Sequence, residues 1–112
     1  MQRLERNGVH RVSTPPAVTM PSLDGRLLGD KASLLAALGQ ALHFPGYYGA
    51  NWDALDECLA DLSWHSGPLR LLISHADRIP EDLRNNLIEI FVAAARQWAE
   101  AGRAFELYLQ AG

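Results

Sequence analysis

The chain has 112 residues, enough for one domain with a single buried core, and its 48% apolar and 21% charged residues exclude a disordered polyelectrolyte. The net charge of −3 is uneven: residues 1–16 sum to +2, through Arg3, Arg6 and Arg11 against Glu5, so residues 17–112 sum to −5. An acidic body excludes duplex nucleic acid as an obvious ligand, because phosphate binding needs a basic face; it suits a basic protein partner or plain solubility.

Residues 1–16 end in Ser13-Thr14-Pro15-Pro16 and show no sustained period, so they read as an N-terminal arm, partly disordered, that touches the domain through Val9 or Val12. The domain proper is residues 17–112. Ala17–Leu23, with β-branched Val18 and Thr19, predicts a first strand that Pro21 confines to an edge or an end. Asp24-Gly25 is a turn signal, glycine supplying a positive φ. Asp30 caps a helix over Lys31–Leu42, in which Leu34, Leu35, Leu38, Ala41 and Leu42 share one face, and Pro45 ends it.

Asn51 is placed to cap a second helix by accepting from the N–H of Asp53 or Ala54. Trp52, Leu55, Leu59 and Leu62 form its apolar stripe, and Asp53, Glu57 and Asp61 follow at four-residue steps with Asp56 beside them. Leu69–Ile73 has the length and apolar run of an internal strand. Pro80, with Glu81 and Asp82, opens a long helix whose core face is Leu83, Leu87, Ile90, Phe91, Ala94 and Trp98, and Gly102 closes it. Phe105–Leu109 alternates as a last strand packed on one face. The order strand, helix, helix, strand, helix, strand predicts a small parallel α/β sheet with right-handed crossovers.

The second helix is the most informative stretch. Each like-charge pair at i, i+4 opposes the helix by roughly 0.2–0.5 kcal/mol, and no Lys or Arg lies between Lys31 and Arg70 to offset it. Such a face is either ordinary solvated surface or a patch that steers a cationic partner. Tyr47 and Tyr48, bracketed by Gly46 and Gly49 on the preceding loop, favour the second reading, since adjacent residues of an extended segment point opposite ways and one ring is then displayed. Trp64 belongs either to this surface or to the core or rim.

An enzyme is not expected. The four histidines (His10, His43, His65 and His75) are scattered, and the chain has no HExxH, GxGxxG, P-loop or GxSxG motif. No cofactor or metal is expected. Cys58 is the only cysteine, which leaves no intrachain disulfide, and its apolar neighbours favour a buried thiol over a nucleophile. No apolar run reaches membrane length and residues 1–8 carry no apolar leader core. No membrane partner is expected, and the expected location is cytoplasmic.

The run Gly46-Tyr-Tyr-Gly-Ala-Asn-Trp-Asp-Ala-Leu-Asp-Glu-Cys-Leu59 resembles the signature of the barstar family, intracellular inhibitors of barnase-type ribonucleases, and the similarity extends over about residues 17–112. It takes in the Pro-Leu-x-Leu strand at Pro68 and the closing helix–Gly–strand, Ala99–Leu109. The resemblance implies a three-stranded parallel sheet with three to four helices, monomeric when free. It also implies an inhibitor that lays its second helix and preceding loop over the active site of a basic, secreted ribonuclease, with no nucleic acid bound.

On matching positions Tyr47, Asn51 and Asp53 retain the family's contact residues, with Tyr48 and Gly49 in the same loop. Glu57 stands where the central carboxylate is usually Asp. Asp56, Ala60 and Gln97 stand where the family's best-known member has Trp, Thr and Glu, and two extra residues precede Pro68, which shifts Trp64 against the family's interface Trp. The alternative implied by these departures is a barstar-like interaction domain that binds another basic protein without inhibiting a ribonuclease.

Overall fold

The computed structural model describes residues 6–44, 49, 51–61 and 67–111. Its elements are β1 (Gly8–Val12), β2 (Ser22–Asp24), α1 (Lys31–Ala41), α2 (Trp52–Ala60), β3 (Leu69–Ser74), α3 (Glu81–Glu100) and β4 (Phe105–Gln110), with 3-10 turns at Gly25–Leu27 and Ala76–Arg78. The strands form one parallel sheet in the order β1-β4-β3-β2. The expected parallel α/β architecture with three α-helices is present, and the sheet is one strand wider than the sequence predicts.

The additional strand comes from the segment read as an arm. β1 runs beside β4 from Gly8↔Glu106 to Val12↔Gln110. Asn7 docks it: Nδ2 donates to the carbonyls of Ala95 (3.2 Å) and Arg103 (3.0 Å), and Oδ1 accepts from the N–H of Phe105 (3.0 Å). These bonds tie the start of β1 to α3 and pair the Arg103 carbonyl and the Phe105 N–H at the start of β4.

Leu69, Leu71 and Ile73 of β3 and Phe105, Leu107 and Leu109 of β4 face the helices and join Leu34, Leu35, Leu38, Leu55, Leu59, Leu87, Phe91 and Trp98 in a single core. The Phe105 ring lies 5.5 Å from that of Phe91 and 5.2 Å from that of Trp98. β4 is buried on both faces, which corrects the expectation of one packed face. On its second face Glu106 is only 4% exposed. Its carboxylate accepts from the Tyr108 hydroxyl and lies 3.4 Å from Arg70 Nε, so the charge is buried with partners. Burial, with the adjacent Glu106, pushes the Tyr108 hydroxyl above the ordinary tyrosine range, and His10 of β1 stacks on its ring at 5.2 Å.

Three local expectations shift. The first predicted strand shrinks to Ser22–Asp24, just past Pro21. Helix α1 ends before Pro45 acts, in a Schellman motif: the N–H of Phe44 bonds Gly39 (2.9 Å) and that of His43 bonds Gln40 (3.4 Å), with His43 at φ 55°. Gly25 is not at positive φ. It is required because a Cβ there would lie 2.1 Å from the carbonyl oxygen of His75, where the two 3-10 turns meet.

Gly25→Ala is expected to lower unfolding stability by about 2 kcal/mol or more through this backbone clash. Gly29→Ala, whose Cβ meets nothing within 4 Å, changes it by less than about 1 kcal/mol. Urea unfolding of the two variants checks the contrast, and equal losses would contradict the close approach.

Candidate protein-binding site

Helix α2 begins as the sequence predicts: Asn51 sits in extended geometry and its Oδ1 accepts from the N–H of Ala54 at 2.8 Å. This satisfies one of the four free N–H groups of the first turn. Gly49 is exposed, and a Cβ on it would approach Asn51 Nδ2 to 3.3 Å, so glycine leaves the capping amide room.

Leu55, Cys58 and Leu59 form the buried face of α2, with Trp52 half-buried beside them. Cys58 is 1% exposed, and burial, aided by Asp61 and Glu57, pushes its thiol up, so it is an inert core residue rather than a thiolate. The far end of α2 is held by α3: the buried Trp98 indole N–H donates to the carbonyl of Leu59 at 2.7 Å. Sequence reading placed Trp98 in the core but gave no sign of this bond. The available signal was the need of the last α2 carbonyls for a donor where no Gly follows the helix.

With three residues buried against the core, the opposite side of α2 is fixed outward. Asp53, Asp56, Glu57 and Ala60 are exposed, and at 100° per residue they occupy about a 100° arc. Asp56, Ala60, Asp53 and Glu57 follow one another around that arc. Among the described residues no cation pairs with Asp53, Asp56 or Glu57. Asp53 lies in the first turn, where the helix dipole favours an acid, whereas no basic residue occupies the last turn. Asp61, expected on the same face, is instead the C-cap in extended geometry, so on the helix Glu57 has one acid four residues away, Asp53, and lies toward the carbonyl end, an arrangement opposed by helix electrostatics.

Of the predicted site residues, the structure brings Asp53, Asp56, Glu57 and Ala60 onto one arc, with Gly49 and Asn51 at its entry. Gln97 is exposed on α3, next in sequence to the Trp98 that anchors α2. Tyr47, Tyr48 and Trp64 lie outside the described residues. Among the described residues, no group of three or more His, Cys, Asp or Glu side chains is arranged to hold a metal, and no helix is long and apolar enough to cross a membrane. The arrangement offers carboxylates presented to solvent, able to accept charge-assisted hydrogen bonds.

Trp98→Phe removes the donor to Leu59 and is expected to lower stability by about 2 kcal/mol. Amide exchange should accelerate most at residues 58–61, the last turn of α2. Hydrogen exchange that rises evenly over β3, β4 and α2 would contradict this anchoring role.

The family model described as Barstar (barnase inhibitor) matches residues 19–110, which include every element from β2 to β4 and exclude β1. No curated protein matches the chain significantly.

Proposed function

Because the chain belongs to the barstar family, we propose that it inhibits a basic, secreted, barnase-type ribonuclease by laying α2 and the loop before it across the enzyme's active site. The observation that carries the reading is the arc of exposed carboxylates on α2, Asp53, Asp56 and Glu57, held outward by the buried Leu55, Cys58 and Leu59 and without cationic partners among the described residues.

A ribonuclease active site is built to receive an RNA phosphate, so it presents Arg, Lys and His donors toward an anion. Glu57 occupies that phosphate position and accepts charge-assisted hydrogen bonds from those donors. Asp53 lies one turn before it on the same arc and contributes to the same field. Tyr47 and Tyr48 supply aromatic contact area from the preceding loop, Gly49 and Asn51 set the entry angle of the helix, and Trp64 and Gln97 are further candidate contacts. Ala60 offers only a methyl group, which lets the partner approach the helix backbone closely. Inhibition is by occlusion, with no covalent step and no cofactor. A cell that secretes such an enzyme needs the inhibitor in its cytoplasm, as a free monomer, before export.

Glu57 separates stability from binding. Glu57→Gln removes the like-charge i, i+4 pair with Asp53 and an acid near a helix C-terminus, so the folded state gains up to about 0.5 kcal/mol. The same change leaves the ribonuclease's cations without their acceptor, and inhibition of a barnase-type ribonuclease weakens about a hundredfold or more. Asp53→Asn weakens it less and slightly destabilises α2, because an acid in the first turn is lost. Urea unfolding and a ribonuclease inhibition assay on the same preparations check both halves. Failure of the wild-type chain to inhibit any barnase-type ribonuclease from its own source would overturn the reading, in favour of a barstar-like domain that binds another basic protein.

A further inference from the structure

Chain segments leave the sheet in opposite directions around the carboxyl end of β4. After β1 the chain crosses the face away from the helices, where Pro16, Val18 and Met20 lie over Arg70 and Glu106. After β3 it turns to the helical face, through the Ala76–Arg78 turn into α3. β4 lies between these two strands. Its carboxyl end is thus a switch point, the position at which open parallel sheets hold ligands because the diverging connections leave a crevice.

A cavity of about 420 Å³ opens there, within the range of small-molecule sites. Leu109 of β4 and Ala76 give it an apolar floor, Ser13 closes the β1 side, and among the described residues Arg11 and Arg84 supply two cations against the acid Asp77. The Ser13 rim is tied to β4, since its carbonyl accepts from Gln110 Nε2 at 3.3 Å.

Arg84 is fixed by one nitrogen only. Its Nη1 donates to the carbonyls of Ile79 (3.0 Å), Ala76 (3.3 Å) and Asp77 (3.5 Å), which pins the guanidinium at the crevice wall. Its Nε is buried with no acceptor, and Nη2 has none among the described residues. The side chain of Arg11 is exposed and likewise has no acceptor among them. The Nη2 of Arg84 and the guanidinium of Arg11, beside an apolar floor, are chemically suited to an oxyanion carried on a small hydrophobic body.

We infer that this crevice binds a small organic acid, its carboxylate or phosphate held by Arg11 and Arg84 and its apolar body against Leu109 and Ala76. The site shares no residue with α2. Arg11 and Ser13, which belong to β1 and the chain just after it, lie outside the family-matched residues 19–110.

The test titrates the full-length chain with benzoate, phenyl phosphate and inorganic phosphate, followed by amide chemical shifts. Saturable binding of benzoate or phenyl phosphate with Kd of about 1 mM or tighter is expected, with shifts concentrated at Val12, Ala76 and Leu109. Preference for benzoate or for phenyl phosphate assigns the oxyanion. Arg11→Gln should weaken binding about tenfold, and Glu57→Gln should leave it unchanged, which separates this site from the ribonuclease surface. The inference is overturned if neither aromatic acid saturates by about 10 mM. Inorganic phosphate binding as tightly as phenyl phosphate would also overturn it, as would unchanged affinity in both Arg11→Gln and Arg84→Lys.

Discussion

Helix α2 is nine residues long, shorter than the roughly 12–15 residues at which even a good helix former is marginal alone in water. Its charges weaken it further, since Glu57 follows Asp53 by one turn and no base lies in the last turn. Tertiary contact therefore holds it. Asn51 pairs a free N–H at one end, Trp98 pairs the Leu59 carbonyl near the other, and Leu55, Cys58 and Leu59 are withdrawn from water between them. Burying an apolar side chain of this size is worth roughly 1.5–3 kcal/mol, more than the like-charge pairs oppose. The fold can carry an electrostatically unfavourable face because a hydrophobic one, anchored at both ends, outweighs it.

Those anchors depend in turn on the sheet. Trp98 is positioned by its ring contact with Phe105, and Phe105 is held by the N–H it gives to Asn7. β1 is thus more than an appendage: it covers the edge of β4, which would otherwise expose unpaired backbone groups to another chain. On the opposite face the linking residues after β1 help to enclose Glu106, whose buried charge is held by Arg70 and Tyr108. Removing either partner leaves that buried charge with only one, so the trio ties β3 to β4 on the face away from the described helices.

Much of this was readable from residue pattern where the determinants are local. Asp30 and Asn51 cap their helices as their side chains allow, and the leucine period of α1 and the Leu87–Phe91–Ala94–Trp98 face of α3 mark what is buried. The acidic arc of α2 is equally local, being a consequence of spacing along one helix. What escaped was set by distant partners. Gly8–Val12 lacks a strong alternation and becomes a strand through Asn7, whose partners lie 88 to 98 residues away. Glu106 reads as the wet side of a strand, and its burial depends on the chain that crosses above it. His43 gives no glycine signature at the end of α1 although it takes the left-handed conformation a glycine would. Gly25 reads as a turn residue, whereas the reason for it is the carbonyl of His75 fifty residues on.

The central claim is that an exposed, unpaired set of carboxylates on α2 meets a basic ribonuclease. Its most direct test is the rate of association between the two proteins, measured by stopped flow as salt is raised from about 0.02 to about 0.5 M. Because exposed charges are screened over a few ångströms at high salt, the rate should fall by about tenfold or more while dissociation changes little. An association rate independent of salt would place the contact on an apolar surface elsewhere and contradict the account.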